Sequence, residues 1–232
     1  MEIAVGTSGF SYPEWRGTFY PPVMPTSEML KYYGEHFKTC EINNTFYRMP
    51  RKEVLEKWPA QVPADFTFIL KASQRITHIK RLKDVEEDLK YFFENAVALG
   101  PQLGPVLFQL PPSLRKDVAR LDSFLDSVPR IRPAAVEFRH DSWFSEDVYE
   151  VLRAHNTALC VADTDEQTVP FVATAHWGYL RLRGTDYPEH ELRDWMGRVR
   201  AQDWAAAYVF FKHEDAGRGP ELAQDFIRLI GR

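Results

Sequence analysis

The fold of this chain is decided by a short apolar run that ends in charged residues, Ala134-Ala135-Val136-Glu137-Phe138-Arg139-His140. Alternate side chains of a β-strand lie on the same face, so Glu137 and Arg139 point one way and Phe138 points the other. Charged groups at the end of a buried strand are costly unless they are paired or used in function. This run therefore predicts a buried strand with a polar site at its carboxyl end.

Apolar strands alternate with amphipathic helices on both sides of this run. The predicted strands are Glu2–Gly6, Thr39–Asn43, Phe66–Lys71, Pro105–Leu110, Ala134–Arg139, Ala158–Asp163, Trp177–Arg183 and Ala205–Lys212. Alternating elements predict an α/β protein with a parallel sheet, and eight such units predict a TIM-like (β/α)8 barrel. We expect a single domain over residues 1–232. An open doubly wound sheet is the alternative, but Gly6-Thr7-Ser8-Gly9 lacks the third glycine of a dinucleotide-binding turn.

The composition excludes several classes of protein. The 232 residues carry a net charge of −4, with 44% hydrophobic and 27% charged residues, which is ordinary for a soluble domain. An acidic balance argues against a protein that wraps duplex DNA over a broad face. We find no secretory signal and no apolar run of membrane-spanning length, so we expect a cytoplasmic protein without membrane association.

The two cysteines, Cys40 and Cys160, lie on predicted strands two and six. These strands are on opposite sides of an eight-stranded barrel, whereas a disulfide needs Cα atoms within about 7 Å. If Glu41 and Asp163 face the barrel axis, both thiols lie on the opposite side, under the helices. We therefore expect two free, buried and unreactive thiols.

Polar residues collect at the carboxyl ends of the predicted strands, which is where TIM barrels carry function. They are Glu41, Asn43, Lys71, Gln109, Glu137, Arg139, Asp163, Arg181, Arg183 and Lys212. If all are ionised, five cations exceed three carboxylates by two charges. This excess favours an anionic ligand that carries a phosphate or carboxylate, which planar Arg groups bind well.

The strand ends suggest roles for individual residues in an enzyme such as a hydrolase, lyase or isomerase. Arg139, Arg181 and Lys212 would hold the anion, and Lys71 would polarise the reacting group. Glu137 or Glu41 would serve as general base. The candidate catalytic residues are Glu41, Lys71, Glu137 and Asp163, and the strand-end candidates for ligand binding are Asn43, Gln109, Arg139, Arg181 and Lys212.

Several alternatives stay open. A salt-bridged plug, with Glu137 neutralised by Lys71 or Arg139, would give the strand ends a purely structural role. The carboxylates with a histidine could hold a divalent metal, but neighbouring cations compete, so we predict no metal and no cofactor. His140 is a candidate ligand contact, or it caps the next loop.

Two further alternatives concern the class of protein. The basic loop 75–83 and the aromatic loop 10–20 could bind single-stranded nucleic acid through charge and stacking. A non-catalytic sensor of a small ligand would use the same strand-end site without turnover.

A set of motifs in order along the chain resembles the YecE-like family, domain of unknown function 72. The motifs are Gly6-Thr7-Ser8-Gly9-Phe10-Ser11-Tyr12, Trp15-Arg16-Gly17, Phe19-Tyr20-Pro21, Glu41-Ile42-Asn43-Asn44-Thr45-Phe46-Tyr47, Lys71 with Ile76-Thr77-His78, Leu107-Phe108-Gln109-Leu110-Pro111-Pro112, and Glu137-Phe138-Arg139-His140 with Trp143. The resemblance implies a TIM-like barrel and a polar pocket built from these motifs, without an established reaction. It adds Tyr12, Tyr47, His140 and Trp143 to the candidate ligand contacts. This chain departs from the family at Phe211-Lys212-His213, where Phe-Asn-Asn is usual.

Overall fold

A computed structural model describes residues 1–166, 169–211 and 217–231 of the chain. Within these ranges eight parallel strands alternate with helices, as the sequence predicts. The strands are β1 (Glu2–Thr7), β2 (Thr39–Ile42), β3 (Thr67–Lys71), β4 (Leu103–Gln109), β5 (Ala134–Glu137), β6 (Ala158–Asp163), β7 (Trp177–Leu182) and β8 (Ala206–Phe211).

The strands form one sheet that curves into a nearly closed barrel. Their order is β1-β8-β7-β6-β5-β4-β3-β2, and an isolated bridge from Ser8 to Glu41 connects β1 with β2. The register pairs Gln109 with Glu137 across β4 and β5. Because all strands run in parallel, their carboxyl ends meet at one rim of the barrel, where the predicted polar residues lie.

Helices cover the outside of the sheet. They are α1 (Met29–His36), α2 (Asn44–Tyr47), α3 (Lys52–Leu55), α4 (Glu86–Ala96), α5 (Val118–Ser127), α6 (Glu146–Ala154), α7 (Glu189–Arg200) and α8 (Arg218–Ile230). The sequence places apolar residues on one face of each long helix; α8, for example, buries Leu222, Phe226 and Leu229. Each fully buried side chain of this kind contributes about 1.5–3 kcal/mol to stability.

The buried residues form two apolar layers. A large layer joins the helices to the outer face of the sheet. A smaller cluster contains Ile69, Leu107, Ala135, Ala158, Cys160, Trp177, Tyr179 and Phe210. Because alternate strand residues point to opposite faces, this second cluster is the barrel interior, and the charged strand-end residues lie directly above it.

The predicted strands are confirmed to within two residues at each described end. Lys212, at the predicted end of the last strand, lies outside the described residues. Cys40 and Cys160 are free and buried, as expected. The face predicted for Cys160 is wrong: Cys160 belongs to the interior cluster, whereas Cys40 belongs to the outer layer. Since Cys160 and Asp163 are three residues apart, they lie on opposite faces, and the interior face is that of the thiol.

The helices of the described residues all fall short of the length and apolar character that crossing a bilayer requires.

Candidate functional site

Arg181 lies at the centre of the polar end of the barrel and joins two buried carboxylates. Its Nη1 donates to Glu137 Oε2 at 2.6 Å and its Nη2 donates to Glu41 Oε1 at 2.7 Å. The side chains of both glutamates are fully buried, and that of Arg181 is 2% exposed. Charged groups this deep require pairing of this kind, so the three residues form a fixed unit that connects β2, β5 and β7.

Glu137 has further partners on the side of β4 and β5. Its Oε1 accepts from Gln109 Nε2 at 2.8 Å and from Arg139 Nε at 2.5 Å. Burial opposes ionisation of Glu137, but the charges of Arg181 and Arg139 outweigh it and lower the pKa of this carboxyl to about 2. Both carboxylate oxygens of Glu137 therefore already accept charged or polar donors, which makes Glu137 a poor general base in this arrangement.

Glu41 is held from the barrel interior as well as by Arg181. Tyr179 donates its hydroxyl to Glu41 Oε2 at 2.6 Å. Burial, followed by the charge of Glu41, raises the pKa of Tyr179 well above its usual value, so the phenol keeps its proton. The sequence analysis did not select Tyr179, although it lies two residues before Arg181 and therefore on the same face.

Lys71 ends β3 beside this unit but is not ion-paired with it. Among the described residues no carboxylate oxygen lies within 4.0 Å of its Nζ, which instead lies 4.0 Å from the centre of the Phe46 ring. The residue is only 9% exposed. Burial and the charge of Arg181 lower the pKa of Lys71 to about 8, against the opposing effects of Glu41 and Glu137.

A cleft of about 520 Å³ opens over the carboxyl ends of β4 to β7. Its polar lining combines Gln109, Arg139 and Arg183 on strand ends with His78 from the loop after β3. Asp165 and Glu166 contribute acidic groups to the lining, and Asp165 accepts from the backbone and hydroxyl of Thr185 at 2.7 Å and 2.5 Å. A volume of this size accommodates a small metabolite.

His78 lies on a π-helical turn, Arg75–Ile79, that follows β3. Such turns are rare and frequently occur at functional sites. The ring of His78 packs edge-on against Phe46 with centroids 4.9 Å apart. Burial, then the charges of Lys71 and Arg139, lowers the pKa of His78, so the imidazole is neutral at physiological pH. The sequence around His78 carries no pattern that reveals this partial burial.

Arg183 is a second cleft residue absent from our sequence-based assignments to ligand binding. Burial and the charge of Arg181 lower its pKa. Its backbone amide donates to the Asp163 carbonyl at 2.8 Å. The Asp163 carboxylate accepts from the Tyr187 hydroxyl at 2.7 Å, so the structure does not bring Asp163 into the unit formed by Arg181 and the two glutamates.

The remaining predicted ligand contacts are dispersed around the barrel end. Asn43 has a buried Oδ1 for which the described residues supply no hydrogen-bond partner. Tyr47 is 72% exposed, next to Phe46. Tyr12 donates to the Ser8 carbonyl at 2.9 Å, within the loop after β1. Lys212 lies outside the described residues.

Two predicted contacts after β5 have local structural partners. His140 Nδ1 accepts from the backbone amide of Ser142 at 3.1 Å, which matches the alternative of a loop cap. Trp143 is fully buried, stacks on Phe138 with centroids 4.7 Å apart and donates to the Leu114 carbonyl at 2.7 Å. Neither side chain lines the cleft.

The basic and aromatic loops are largely occupied by internal contacts. Arg75 and Lys80 both pair with Asp88, at 2.6 Å and 2.8 Å. In the aromatic loop, Trp15 and Tyr20 are buried, with no more than 1% of either residue exposed. The surface expected for base stacking is therefore reduced.

Potential metal ligands do not collect at the strand ends in the described ranges. Within the described ranges, the three potential metal ligands that lie close together are instead Asp122, Asp126 and His155, on α5 and just after α6. His155 Nε2 already lies 2.8 Å from Asp122 Oδ1, so this cluster is a surface contact remote from the cleft.

The fold and site together define a (β/α)8 barrel with a charged cleft at the carboxyl ends of its strands. The chain belongs to the family described as "Protein of unknown function DUF72", which it matches over residues 4–232. It is 26% identical to the UPF0759 protein YecE of Escherichia coli, over 95% of this chain and 89% of that protein. It is also 26% identical to the UPF0759 protein YunF of Bacillus subtilis, over 98% and 94% of the two chains. The crystal structure of a DUF72 family protein from Thermotoga maritima is similar at a TM-score of 0.90, with 30% identity and full coverage of both chains. The resemblance inferred from the sequence motifs is thus confirmed.

Proposed function

We propose that this barrel binds a small anionic ligand, bearing a phosphate or a carboxylate, in the cleft beside Arg139. The observation that carries the proposal is the largely buried side chain of Lys71, whose ammonium has no carboxylate oxygen within 4.0 Å among the described residues. A buried cation without an ionic partner is unfavourable. Lys71 is not part of the cleft lining, but its amine and the cleft residue His78 pack on the same Phe46 ring, so an anion bound at that end of the cleft would supply a nearby counter-charge.

The charge balance around Lys71 supports the same conclusion. Two carboxylates, Glu41 and Glu137, lie among three cations, Arg181, Lys71 and Arg139, which leaves an excess of one positive charge among these five residues. Repulsion by Arg181 contributes to the lowered pKa of both Lys71 and Arg183. A bound anion would relieve that repulsion, and the low dielectric of the cleft would strengthen its attraction.

The geometry suggests which groups meet the ligand. Arg139 retains a 31% exposed side chain although its Nε contacts Glu137, so its remaining N–H groups are available on the cleft side. Arg181, in contrast, is buried and donates to the two glutamates. Asp165 and Glu166 on the lining would repel an anion and so favour its binding nearer to Arg139.

Thermal-shift measurements with inorganic phosphate, phosphorylated metabolites and small carboxylates test the proposal. A ligand at 100 times its Kd stabilises a protein by about 2.7 kcal/mol, which is a rise in Tm of about 5–10 °C for a chain of this size. The rise should be lost in Arg139→Gln. It should be kept in Arg153→Gln, a matched control that removes a surface arginine paired with Glu146.

Two results would contradict the proposal. One is that no anion raises the Tm of the wild type. The other is that Arg139→Gln responds as strongly as Arg153→Gln. Steady-state assays on any stabilising ligand then separate an enzyme from a non-catalytic sensor, because only the enzyme consumes the ligand.

A further inference from the structure

The amine of Lys71 has surroundings unlike those of a lysine that serves only as a charge. The residue is 9% exposed, and its Nζ lies 4.0 Å from the centre of the Phe46 ring, with no carboxylate oxygen of the described chain within 4.0 Å. The neighbouring glutamates are instead held by Arg181. Burial without an ion pair, next to another cation, is the arrangement that converts a lysine into a nucleophile.

The contacts around Phe46 fix this arrangement. Thr45 Oγ1 lies within hydrogen-bond distance of two backbone carbonyls, 2.9 Å from that of Ile42 and 2.7 Å from that of Lys71. This hydroxyl therefore ties the start of α2 to the end of β3. The tie holds the ring of Phe46 against the Lys71 amine, and His78 packs on the same ring.

The ionisation state of Lys71 follows from these surroundings. With its pKa lowered to about 8, about a quarter of the molecules carry a neutral amine at pH 7.5. A lysine with an ordinary pKa is neutral in only about 0.1% of molecules at that pH. The neutral amine is the form that attacks a carbonyl carbon.

We infer that Lys71 forms an imine with an aldehyde or ketone group of the ligand, whose anionic group lies beside Arg139. The inference rests on the proposed function, and it narrows the ligand to a carbonyl compound that carries a phosphate or carboxylate. Imine chemistry of this kind serves carbon–carbon bond cleavage, decarboxylation and isomerisation.

The step is balanced without a further reactant. The neutral Nζ adds to the carbonyl carbon, the C=O π bond becomes a C–O single bond, and one amine proton passes to that oxygen. The resulting carbinolamine loses the hydroxyl group together with the second amine proton as water, which leaves a C=N bond to Lys71. Addition of water reverses both steps and releases the carbonyl compound.

Pyridoxal 5′-phosphate, an aldehyde with a phosphate group, is a suitable probe. The full chain is treated with it at pH 7.5 and reduced with sodium borohydride, which converts an imine into a stable amine, and the modified lysines are located by peptide mass spectrometry. Lys38 is the internal control, because it is exposed and its contact with Asp65 at 2.8 Å raises its pKa. We expect Lys71 to be modified at least about tenfold faster than Lys38, with a rate that increases with pH through about 8.

Two comparisons connect the imine with the anion. Inorganic phosphate should protect Lys71, and Arg139→Gln should slow its modification about tenfold, whereas Arg153→Gln should not. Lys71→Arg, which keeps the charge, should abolish the adduct at position 71 and leave the modification of other lysines such as Lys38 unchanged.

The possible failures are distinguishable. If Lys71 stays unmodified while phosphate raises the Tm of the wild type but not of Arg139→Gln, the imine is refuted and the anion site stands. If Lys71 reacts rapidly but phosphate and Arg139→Gln have no effect, the amine is a nucleophile and the proposed anion site is refuted.

Discussion

Replacing Arg181 by Met tests the buried charge unit directly. The substitution removes a guanidinium that is 2% exposed and leaves Glu41 and Glu137, both fully buried, without their shared partner. Glu137 keeps Gln109 and Arg139, whereas within the described residues the carboxylate of Glu41 keeps only the Tyr179 hydroxyl. Breaking a buried ion pair costs about 3–5 kcal/mol, so we expect a loss of about 4 kcal/mol in the free energy of unfolding and a fall in Tm of about 8–16 °C.

Urea denaturation followed by tryptophan fluorescence measures this loss, and its pH dependence identifies the cause. In the wild type the pKa of Glu137 is depressed, so its contribution is present above the ordinary carboxyl pKa and is lost as the pH falls towards 2. The charge of Arg181 is the largest of the effects that lower the pKa of Glu137, so this contribution should be smaller in Arg181→Met. The difference in stability between the two proteins should therefore narrow as the pH falls towards 2.

Two further variants serve as controls. Adding Glu41→Gln to Arg181→Met should restore about 2 kcal/mol, because it removes the buried charge that lost its partner. Arg193→Met breaks an exposed pair with Glu189 and should cost less than about 0.5 kcal/mol. A loss below about 1 kcal/mol in Arg181→Met, or no recovery on adding Glu41→Gln, would refute the reasoning.

Three other predictions follow from the same set of contacts. Wild-type stability should fall between about pH 4.5 and about pH 2 as Glu137 is protonated, and Glu137→Gln should flatten this part of the stability profile measured by urea titration. Cys40 and Cys160 should resist a thiol reagent at pH 8 in the native state, because burial raises the pKa of both thiols; rapid labelling of either would contradict their placement. Trp143→Phe should cost about 1–3 kcal/mol, since it leaves the buried Leu114 carbonyl without its donor, while phosphate affinity by calorimetry stays unchanged because Trp143 lies outside the cleft lining.

The barrel could be predicted from the sequence because its signals are local. Each strand is an apolar run that ends in a polar residue, and the amphipathic helices between them leave little freedom in a parallel sheet. The placement of Glu41, Glu137 and Arg181 on the inward face also follows from the two-residue period of strands, whereas the ion pairs between them do not. The same period places Tyr179, two residues before Arg181, on the inward face.

The parts that could not be predicted depend on contacts between distant segments. Asp163 ends an apolar strand as Glu137 does, but its carboxylate accepts from Tyr187, which follows β7. No pattern within β6 shows that partner. Because the face of Cys160 was predicted from that of Asp163, the error for Asp163 made the prediction for Cys160 wrong as well. His78 enters the cleft on a π-helical turn, whose geometry short sequence patterns do not reveal.

The structure also assigns different roles to the cations at the strand ends than the sequence does. From the sequence, Arg139 and Arg181 are both expected to hold the anion, and Lys71 is expected to polarise the reacting group. In the barrel, Arg181 donates to both buried carboxylates, and this favours a positioning role over contact with a ligand. Because Arg181 donates to both glutamates, Lys71 has no ionic partner among the described residues, and burial together with the charge of Arg181 lowers the pKa of that amine. The site therefore depends on Arg181 in a way that predicts a specific failure: Arg181→Met should return the pKa of Lys71 towards its ordinary value and slow imine formation even at temperatures where the variant is fully folded.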